Sequence, residues 1–328
     1  MLQVCVTPGP QKPKDLYSFL EPLHKELNDL CKDGMIVKTD TCDIKLCAHL
    51  LFIGGDIPAV AKIAGVGYHT SYHGCRFCTI LGVYQGTQMT FPPVSKNDTR
   101  PKPVAQLSST YQKANKRIGQ KTKCLFADLP TFHGATFFPI DIMHLLGPGL
   151  GKQLWKTIQG KYSKDTSPLY LSNAQQEVIG ARIAASRNLT PSSFLGDCGD
   201  ITVQSGFYRA VDWIHSVLYL VPTIVLEFYD DNTTRNALIA FVTIYRYAFT
   251  REVGPEEIAC LRNAVKSWTD WLMHHVNDGS IHCGILTINM HYLMHLCKTV
   301  ERNGPLPYLA AFNMERAIGE IKKRIQSK

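Results

Sequence analysis

The sequence has few charged residues and no long apolar run. Charged side chains make up 19% of its 328 residues, which is below the quarter that is usual in globular proteins. No stretch of about eighteen uncharged apolar residues occurs, and the N-terminus lacks the basic-then-apolar pattern of a secretory signal. These absences argue against a membrane partner and against secretion, and they predict an intracellular protein.

Closely spaced cysteines are also scarce. The chain has eleven cysteines, but only Cys75 and Cys78 form a C-x-x-C pair. Thiols stay reduced inside cells, so we expect most of the others to be small core residues. Hydrophobic residues reach 45%, which excludes disorder for most of the chain, and the length suits one large domain or two of ordinary size.

The formal net charge of +8 is concentrated in one segment. Residues 94–123 carry eight basic side chains against the single acid Asp98. Prolines 101 and 103 and a Ser-Ser-Thr run predict a solvated loop or a poorly ordered insert. Its cations either keep the surface soluble or contact nucleic-acid phosphates. The basic residues are Lys96, Arg100, Lys102, Lys113, Lys116, Arg117, Lys121 and Lys123.

Hydrophobic periodicity predicts an α/β beginning and a long helical remainder, so that the chain is mostly helical overall. The apolar run Leu46–Ile53 predicts a buried strand, followed by Asp56 and a helix with Pro58 in its first turn. Beyond Ser172 the pattern is helical. The predicted helices are Ala174–Ala185, Gly206–Phe228, Asn232–Phe249, Pro255–His275, Ile285–Arg302 and Phe312–Ile325.

The C-x-x-C pair is the first half of a candidate metal site. Two thiolates at this spacing can share one Zn²⁺, although a redox pair has the same spacing. His291 and His295 are candidates for the second half, because i and i+4 side chains share one helix face about 5–6 Å apart at Cβ. An H-x-x-x-H pattern also arises by chance. Together the four residues would form a Cys2His2 set that joins the α/β part to the last helices.

Three acidic positions are candidates for chemistry. Asp56 follows the predicted strand, where open α/β sheets place active sites, but it is also a good helix N-cap. Glu315 opens the last helix, where the helix dipole favours an ordinary glutamate. Asp141 lies three residues before His144, and on the sequence alone an N-cap beside a buried histidine is the favoured explanation of this pair.

In order along the chain, these motifs resemble the transposases of CACTA (En/Spm-type) DNA transposons, a class of transposable element. The resemblance spans nearly the whole chain, and the layout is also similar to Transib transposases and the V(D)J recombinase core. The matching segments are Pro8-Gly9-Pro10-Gln11-Lys12-Pro13-Lys14-Asp15-Leu16 through Pro22-Leu23, Gly55-Asp56-Ile57-Pro58-Ala59, Cys75-x-x-Cys78, Asp141-Ile142-Met143-His144 and Phe312-x-Met314-Glu315-Arg316.

The resemblance implies a DDE/D core with an RNase H-like fold, interrupted by a large all-helical insertion. It divides the chain into a partial α/β core (1–90), a basic insert (91–130) and a helical insertion (131–284). Residues 285–328 would be C-terminal helices that complete the zinc site and the catalytic core.

The resemblance also implies roles for individual residues. Such cores cleave and join DNA with two Mg²⁺ or Mn²⁺ ions held by three carboxylates. Asp56 matches the second aspartate, with Asp141 as the alternative acid, and Glu315 matches the glutamate. His144 matches a histidine near the active site. Cys75, Cys78, His291 and His295 match the family's zinc ligands. The implied partners are transposon ends in the nucleus and a second copy of the chain in a homo-oligomer.

The chain departs from this pattern at one important point. The family's first catalytic aspartate lies on a strand well upstream of the segment that matches Pro8 onward, so we expect an incomplete carboxylate triad and a transposase fragment that is inactive alone. Two alternatives stay open: a non-catalytic DNA-binding protein derived from a transposase, and an unrelated zinc-stapled interaction protein.

Overall fold

The computed structural model describes residues 13–94, 103–191 and 198–324. Helical segments make up 58% of these residues and strands 6%. The prediction of a mostly helical chain is therefore confirmed. In the described ranges no helix combines the length and the apolar character that crossing a bilayer requires. The chain divides into two compact units, one formed by 13–81 and 103–139 and the other by 82–94, 140–191 and 198–324.

The first unit contains little regular structure. Between its named elements the chain runs through turns and through short 3-10 helices, among them Ser108–Gln112, Lys116–Ile118 and Leu125–Asp128. The named elements are α1 (Tyr17–Lys32), β1 (Met35–Lys38), β2 (Asp43–Leu46) and α2 (Ile57–Ala64).

The core of this unit is aromatic. Tyr111 is fully buried and its ring packs edge-on against Phe132 with the centroids 5.5 Å apart. Its hydroxyl donates a hydrogen bond of 2.7 Å to the carbonyl of Arg76. One face of α2, including Val60 and Ala64, is buried as well. The basic segment that contains Tyr111 is thus anchored from inside, although it was predicted to be a solvated or poorly ordered insert.

The strands β1 and β2 form an isolated antiparallel hairpin, with Met35 opposite Leu46 and Lys38 opposite Asp43. Most of its side chains are exposed, including Ile36 (68% exposed) and Ile44. Helix α1, which precedes the hairpin, also has no buried residue. This part of the unit therefore adds little to its core.

The predicted buried strand Leu46–Ile53 is wrong. The strand β2 ends at Leu46, the following residues have no regular structure, and Leu51 is 61% exposed. A strand needs a neighbour that pairs along its length, but here the N–H of Ala48 donates to Leu30 and that of Ile53 donates to Phe137. These separate contacts fix the chain without making a sheet.

The second unit is a helical assembly with one small hairpin. Its strands β3 (Val83–Gln85) and β4 (Gln88–Thr90) pair antiparallel. Its α-helices are α3 (Ile142–His144), α4 (Lys152–Ile158), α5 (Asn173–Ser186), α6 (Ile201–Gln204), α7 (Ala210–His215), α8 (Val221–Thr223), α9 (Asn232–Ala248), α10 (Pro255–Asn277), α11 (Ile288–Asn303) and α12 (Phe312–Arg324).

Five of the six predicted helices are confirmed as single helices, α5 and α9 to α12, with ends within three residues of those predicted. The sixth, Gly206–Phe228, is broken into α7, a π-helical turn at Ser216–Leu220, α8 and a 3-10 turn. Pro222 explains part of this interruption, because proline lacks the N–H that an α-helix requires.

Buried aromatic rings join the longest helices of this unit. The rings of Phe241 in α9 and Trp268 in α10 lie 4.5 Å apart, and the Trp268 indole N–H points at the sulfur of Met290 in α11. The fully buried hydroxyl of Tyr245 donates a 2.6 Å hydrogen bond to the carbonyl of Leu146. Burial raises the pKa of Tyr245 well above its usual value, so this donor keeps its proton at physiological pH.

We expect Tyr245→Phe to lower the free energy of unfolding by about 1–3 kcal/mol, because it leaves the buried carbonyl of Leu146 without this donor. Urea denaturation measures the change. The exposed Tyr308 provides the matched control, since Tyr308→Phe removes a hydroxyl that water can replace. Equal effects of the two substitutions would contradict the assigned role of the Tyr245 hydroxyl.

Candidate metal centre

The turn that carries Cys75 and Cys78 is fixed by backbone pairing and by side-chain hydrogen bonds. Cys78 forms a β-bridge with Ala105, and the guanidinium of Arg76 donates to the carbonyls of Phe138 and Pro139 at 3.1 and 3.0 Å. The N–H of Phe77 points at the Cys75 sulfur, 3.3 Å away. Both cysteines are buried, so their sulfurs occupy fixed positions.

Burial raises the pKa of the Cys75 thiol well above the usual thiol range, and the neighbouring Cys78 adds to the shift. A thiolate at this position is costly unless a cation accompanies it. The turn therefore has the chemistry of a soft-metal ligand pair whose protons leave when the ion binds.

The imidazoles of His291 and His295 lie on one face of α11. Thr287 caps this helix by accepting a hydrogen bond from the N–H of Met290. The two Nε2 atoms are 3.1 Å apart and the rings are nearly perpendicular, at 76°. Ligands on a tetrahedral zinc with bonds of about 2.1 Å are separated by about 3.4 Å. The histidine pair is thus already spaced as two ligands of one ion.

Cys75, Cys78, His291 and His295 are one group among the described residues that could hold a metal ion. Each offers one ligand atom, and these atoms all lie within 4.8 Å of one another. Three of the four residues are buried. Two thiols and two imidazoles are the donors of closed structural zinc sites, so this donor set fits a metal such as zinc. The four residues grouped in the sequence analysis are thus residues that could hold a metal ion, while their role as zinc ligands stays a prediction.

Asp56 is the N-cap of α2. Its carboxylate accepts a hydrogen bond of 2.7 Å from the N–H of Ala59, and Pro58 follows in the first turn. The helix ends at Ala64, and Gly65 caps it with a φ of +71°, which suits glycine. The capping role considered for Asp56 is therefore observed, while its catalytic role stays a prediction.

The side chain of Asp141 is buried, and its carboxylate is hydrogen-bonded to two backbone N–H groups and one imidazole. One carboxylate oxygen accepts from the N–H of Met143 at 3.0 Å and from that of Ala311 at 3.1 Å. The other oxygen is hydrogen-bonded to Nδ1 of His144. Asp141 thus caps α3, orients the His144 ring and fixes the residue that precedes α12.

Glu315 lies in the first turn of α12, where its N–H donates to the carbonyl of Ala311, and its side chain is exposed. Two groups of three or more candidate metal ligands occur among the described residues, and neither includes Asp56, Asp141 or Glu315. The binding of catalytic Mg²⁺ or Mn²⁺ by these carboxylates stays a prediction.

The described part of the basic segment presents five exposed cations, Lys113, Lys116, Arg117, Lys121 and Lys123. The buried Gln120 anchors the loop between them by donating to the carbonyls of Ala64 and Thr122 at 2.8 and 2.6 Å. The ammonium of Lys121 lies 5.1 Å from the centre of the Tyr68 ring. Lys96, Arg100 and Lys102 lie outside the described residues.

Sequence reasoning missed the second ligand group, His274, His275 and Asp278. The adjacent histidines were visible as a pair in the sequence, but their relation to Asp278 depends on where α10 ends. Comparison with known proteins adds no further assignment: no family profile matches the chain, and no curated protein matches it.

We expect Asp141→Ala to lower the free energy of unfolding by about 2–3 kcal/mol, because it leaves two backbone N–H groups and His144 without their acceptor. Asp141→Asn keeps an oxygen for the two N–H groups and should cost less. Chemical denaturation of both variants tests the assignment, and equal losses would contradict it.

Proposed function

We propose that this protein is a zinc- and DNA-binding relative of CACTA transposases that does not cleave DNA on its own. In this proposal the chain derives from an RNase H-like core with a helical insertion, and its proposed location is the nucleus. The observation that carries the proposal is the cluster of Cys75, Cys78, His291 and His295.

The cluster supports the proposal because its two halves are far apart in the sequence. C-x-x-C and H-x-x-x-H each occur often by chance, and neither predicts the other. The transposase resemblance implied this set of four as the zinc ligands. The same four residues form a group that could hold a metal ion, and this agreement supports the proposal.

The proposed DNA contact is the surface formed by Lys113, Lys116, Arg117, Lys121 and Lys123, which we call the basic strip. None of these five side chains is buried. Cations on one loop that a buried glutamine anchors can approach consecutive phosphates without a large ordering cost. Contacts of this kind bind the sugar-phosphate backbone of DNA and do not distinguish one base from another.

The absence of cleavage follows from the carboxylates. Two-metal phosphoryl transfer requires acidic side chains held around both ions. Asp56 is engaged in capping α2, Asp141 binds two backbone N–H groups and His144, and Glu315 is exposed. These contacts are compatible with the proposal that this chain alone does not hold a catalytic Mg²⁺ pair.

The zinc part of the proposal predicts about one tightly bound zinc per chain. We expect the double substitution Cys75→Ser and His295→Ala to lose most of this zinc and to lower the melting temperature, because a metal that binds only the folded state stabilises it. Elemental analysis and thermal unfolding measure both effects. Cys260→Ser, at an exposed thiol, is the control and should retain the zinc; equal zinc content in the double variant would refute the assignment.

The DNA part predicts binding to duplex DNA that weakens steeply with salt. Each phosphate contact contributes about −0.9 to the slope of log K against log[salt]. Replacing Lys116, Arg117 and Lys121 with alanine should therefore make the slope shallower by about 2–3. Fluorescence anisotropy at several salt concentrations measures it.

The matched control removes the same charge from the exposed Lys25, Lys32 and Lys45 and should leave the slope nearly unchanged. Equal slopes for the two triple variants would exclude the basic strip. No DNA binding at low salt would favour a zinc-dependent interaction protein. Mg²⁺-dependent nicking lost in Asp56→Ala or Glu315→Ala would overturn the non-cleaving assignment.

A further inference from the structure

The end of α10 brings three metal-ligating side chains together. The helix finishes at Asn277, and Asp278 is its C-cap with helical backbone angles. His274 and His275 lie in the last turn, and the carboxylate of Asp278 turns back toward both rings. We propose that His274, His275 and Asp278 bind a divalent transition-metal ion, at a second site independent of the proposed zinc and DNA functions.

The distances suit an ion with short bonds. Oδ2 of Asp278 is 3.7 Å from Nε2 of His274 and 3.5 Å from Nδ1 of His275. All three ligand atoms lie within 4.8 Å of one another. Ligands of a tetrahedral ion with bonds of about 2.1 Å are separated by about 3.4 Å. Movements of a few tenths of an ångström would bring Oδ2 and each imidazole nitrogen to that spacing, and the exposed His274 side chain can close the remaining gap.

Neighbouring groups hold two of the ligands in place. The N–H and the hydroxyl of Ser280 both donate to Oδ1 of Asp278, at 2.8 and 2.6 Å, which leaves Oδ2 facing the histidines. The edge of the His275 ring packs against Trp271 with the ring centres 4.6 Å apart. Such outer contacts orient metal ligands in known sites.

Ser280 also competes with the ion. Its hydroxyl oxygen lies 2.8 Å from Nδ1 of His275, so an ion at this nitrogen replaces that hydrogen bond while the contact with Asp278 persists. The C-terminus of α10 compensates in part for the lost hydrogen bond, because its last carbonyl groups carry partial negative charge that favours a cation.

The donor set selects the class of ion. Two imidazoles and one carboxylate suit Zn²⁺, Ni²⁺ and Cu²⁺, whereas Mg²⁺ and Ca²⁺ prefer all-oxygen sites. The site contains no thiolate, and the exposed side chains of His274 and Asp278 leave coordination positions open to water. It therefore binds more weakly than the cysteine-containing cluster and fills after it.

The test is a Ni²⁺ titration of the tag-free, zinc-loaded full chain, followed by calorimetry and by tryptophan fluorescence. Trp271 contacts His275, so we expect one further ion per chain and a matching change in fluorescence. His274→Ala removes an exposed ligand, and Asp278→Asn keeps an oxygen for Ser280. Each should weaken binding about tenfold or more while thermal unfolding of the zinc-loaded protein stays unchanged.

His24→Ala is the matched control. His24 pairs with the single carboxylate of Asp128 at 2.7 Å and belongs to no group of three ligands among the residues described. It should leave Ni²⁺ binding unchanged. Equal Ni²⁺ affinity in the wild type, His274→Ala and Asp278→Asn would overturn the proposed site. So would a titration in which the zinc-loaded chain binds no Ni²⁺, or one in which the Trp271 fluorescence does not change. None of these readouts depends on DNA binding, so their failure would leave the proposed function standing.

Discussion

The carboxylate of Asp141 accepts hydrogen bonds from two parts of the second unit that are far apart in the sequence. One of its oxygens accepts from both the N–H of Met143, at the start of a helical run, and the N–H of Ala311, just before the last helix. A buried carboxylate is stable only when such donors surround it. The entry into α3 and the start of α12 therefore depend on one side chain, which also orients His144.

The helical run that Asp141 opens continues through a π-helical segment, Leu145–Gly151. Its glycines allow close packing: a Cβ at Gly147 would lie 2.9 Å from the carbonyl oxygen of Ala210 in α7, and one at Gly151 would lie 3.1 Å from that of Trp213. The Leu146 carbonyl of this segment accepts the hydrogen bond of Tyr245 in α9. The glycines of the π-helical segment thus let α7 approach closely, and Tyr245 ties α9 to the same segment.

The parts of the fold that the sequence predicted are those set by local rules. Helices α5 and α9 to α12 follow their apolar periodicity and their caps, for example Asp231, which accepts from the N–H groups of Thr233 and Thr234. The hydroxyls of Thr233 and Thr234 also donate to this carboxylate, and together with the N–H groups they hold the pKa of Asp231 below its ordinary value. The strand at Leu46–Ile53 was predicted wrongly because strand formation depends on a distant partner, which an apolar run cannot specify. In the candidate sites, the C-x-x-C and H-x-x-x-H spacings were enough to suggest the Cys2His2 set, and the family resemblance supported it. The group at His274 required knowing that α10 ends before Asp278.

The hairpin of β1 and β2 has a consequence for the protein in concentrated solution. Both of its strands are edge strands within the described chain, and Ile36, Ile44 and Leu46 are exposed beside them. An edge with unpaired backbone groups and apolar side chains is a template for strand addition by another polypeptide. The charges of Lys38, Asp43 and Lys45 oppose flat stacking of identical edges. The hairpin is therefore one place where these few charges limit association of the chain with itself, remote in sequence from His291 and His295.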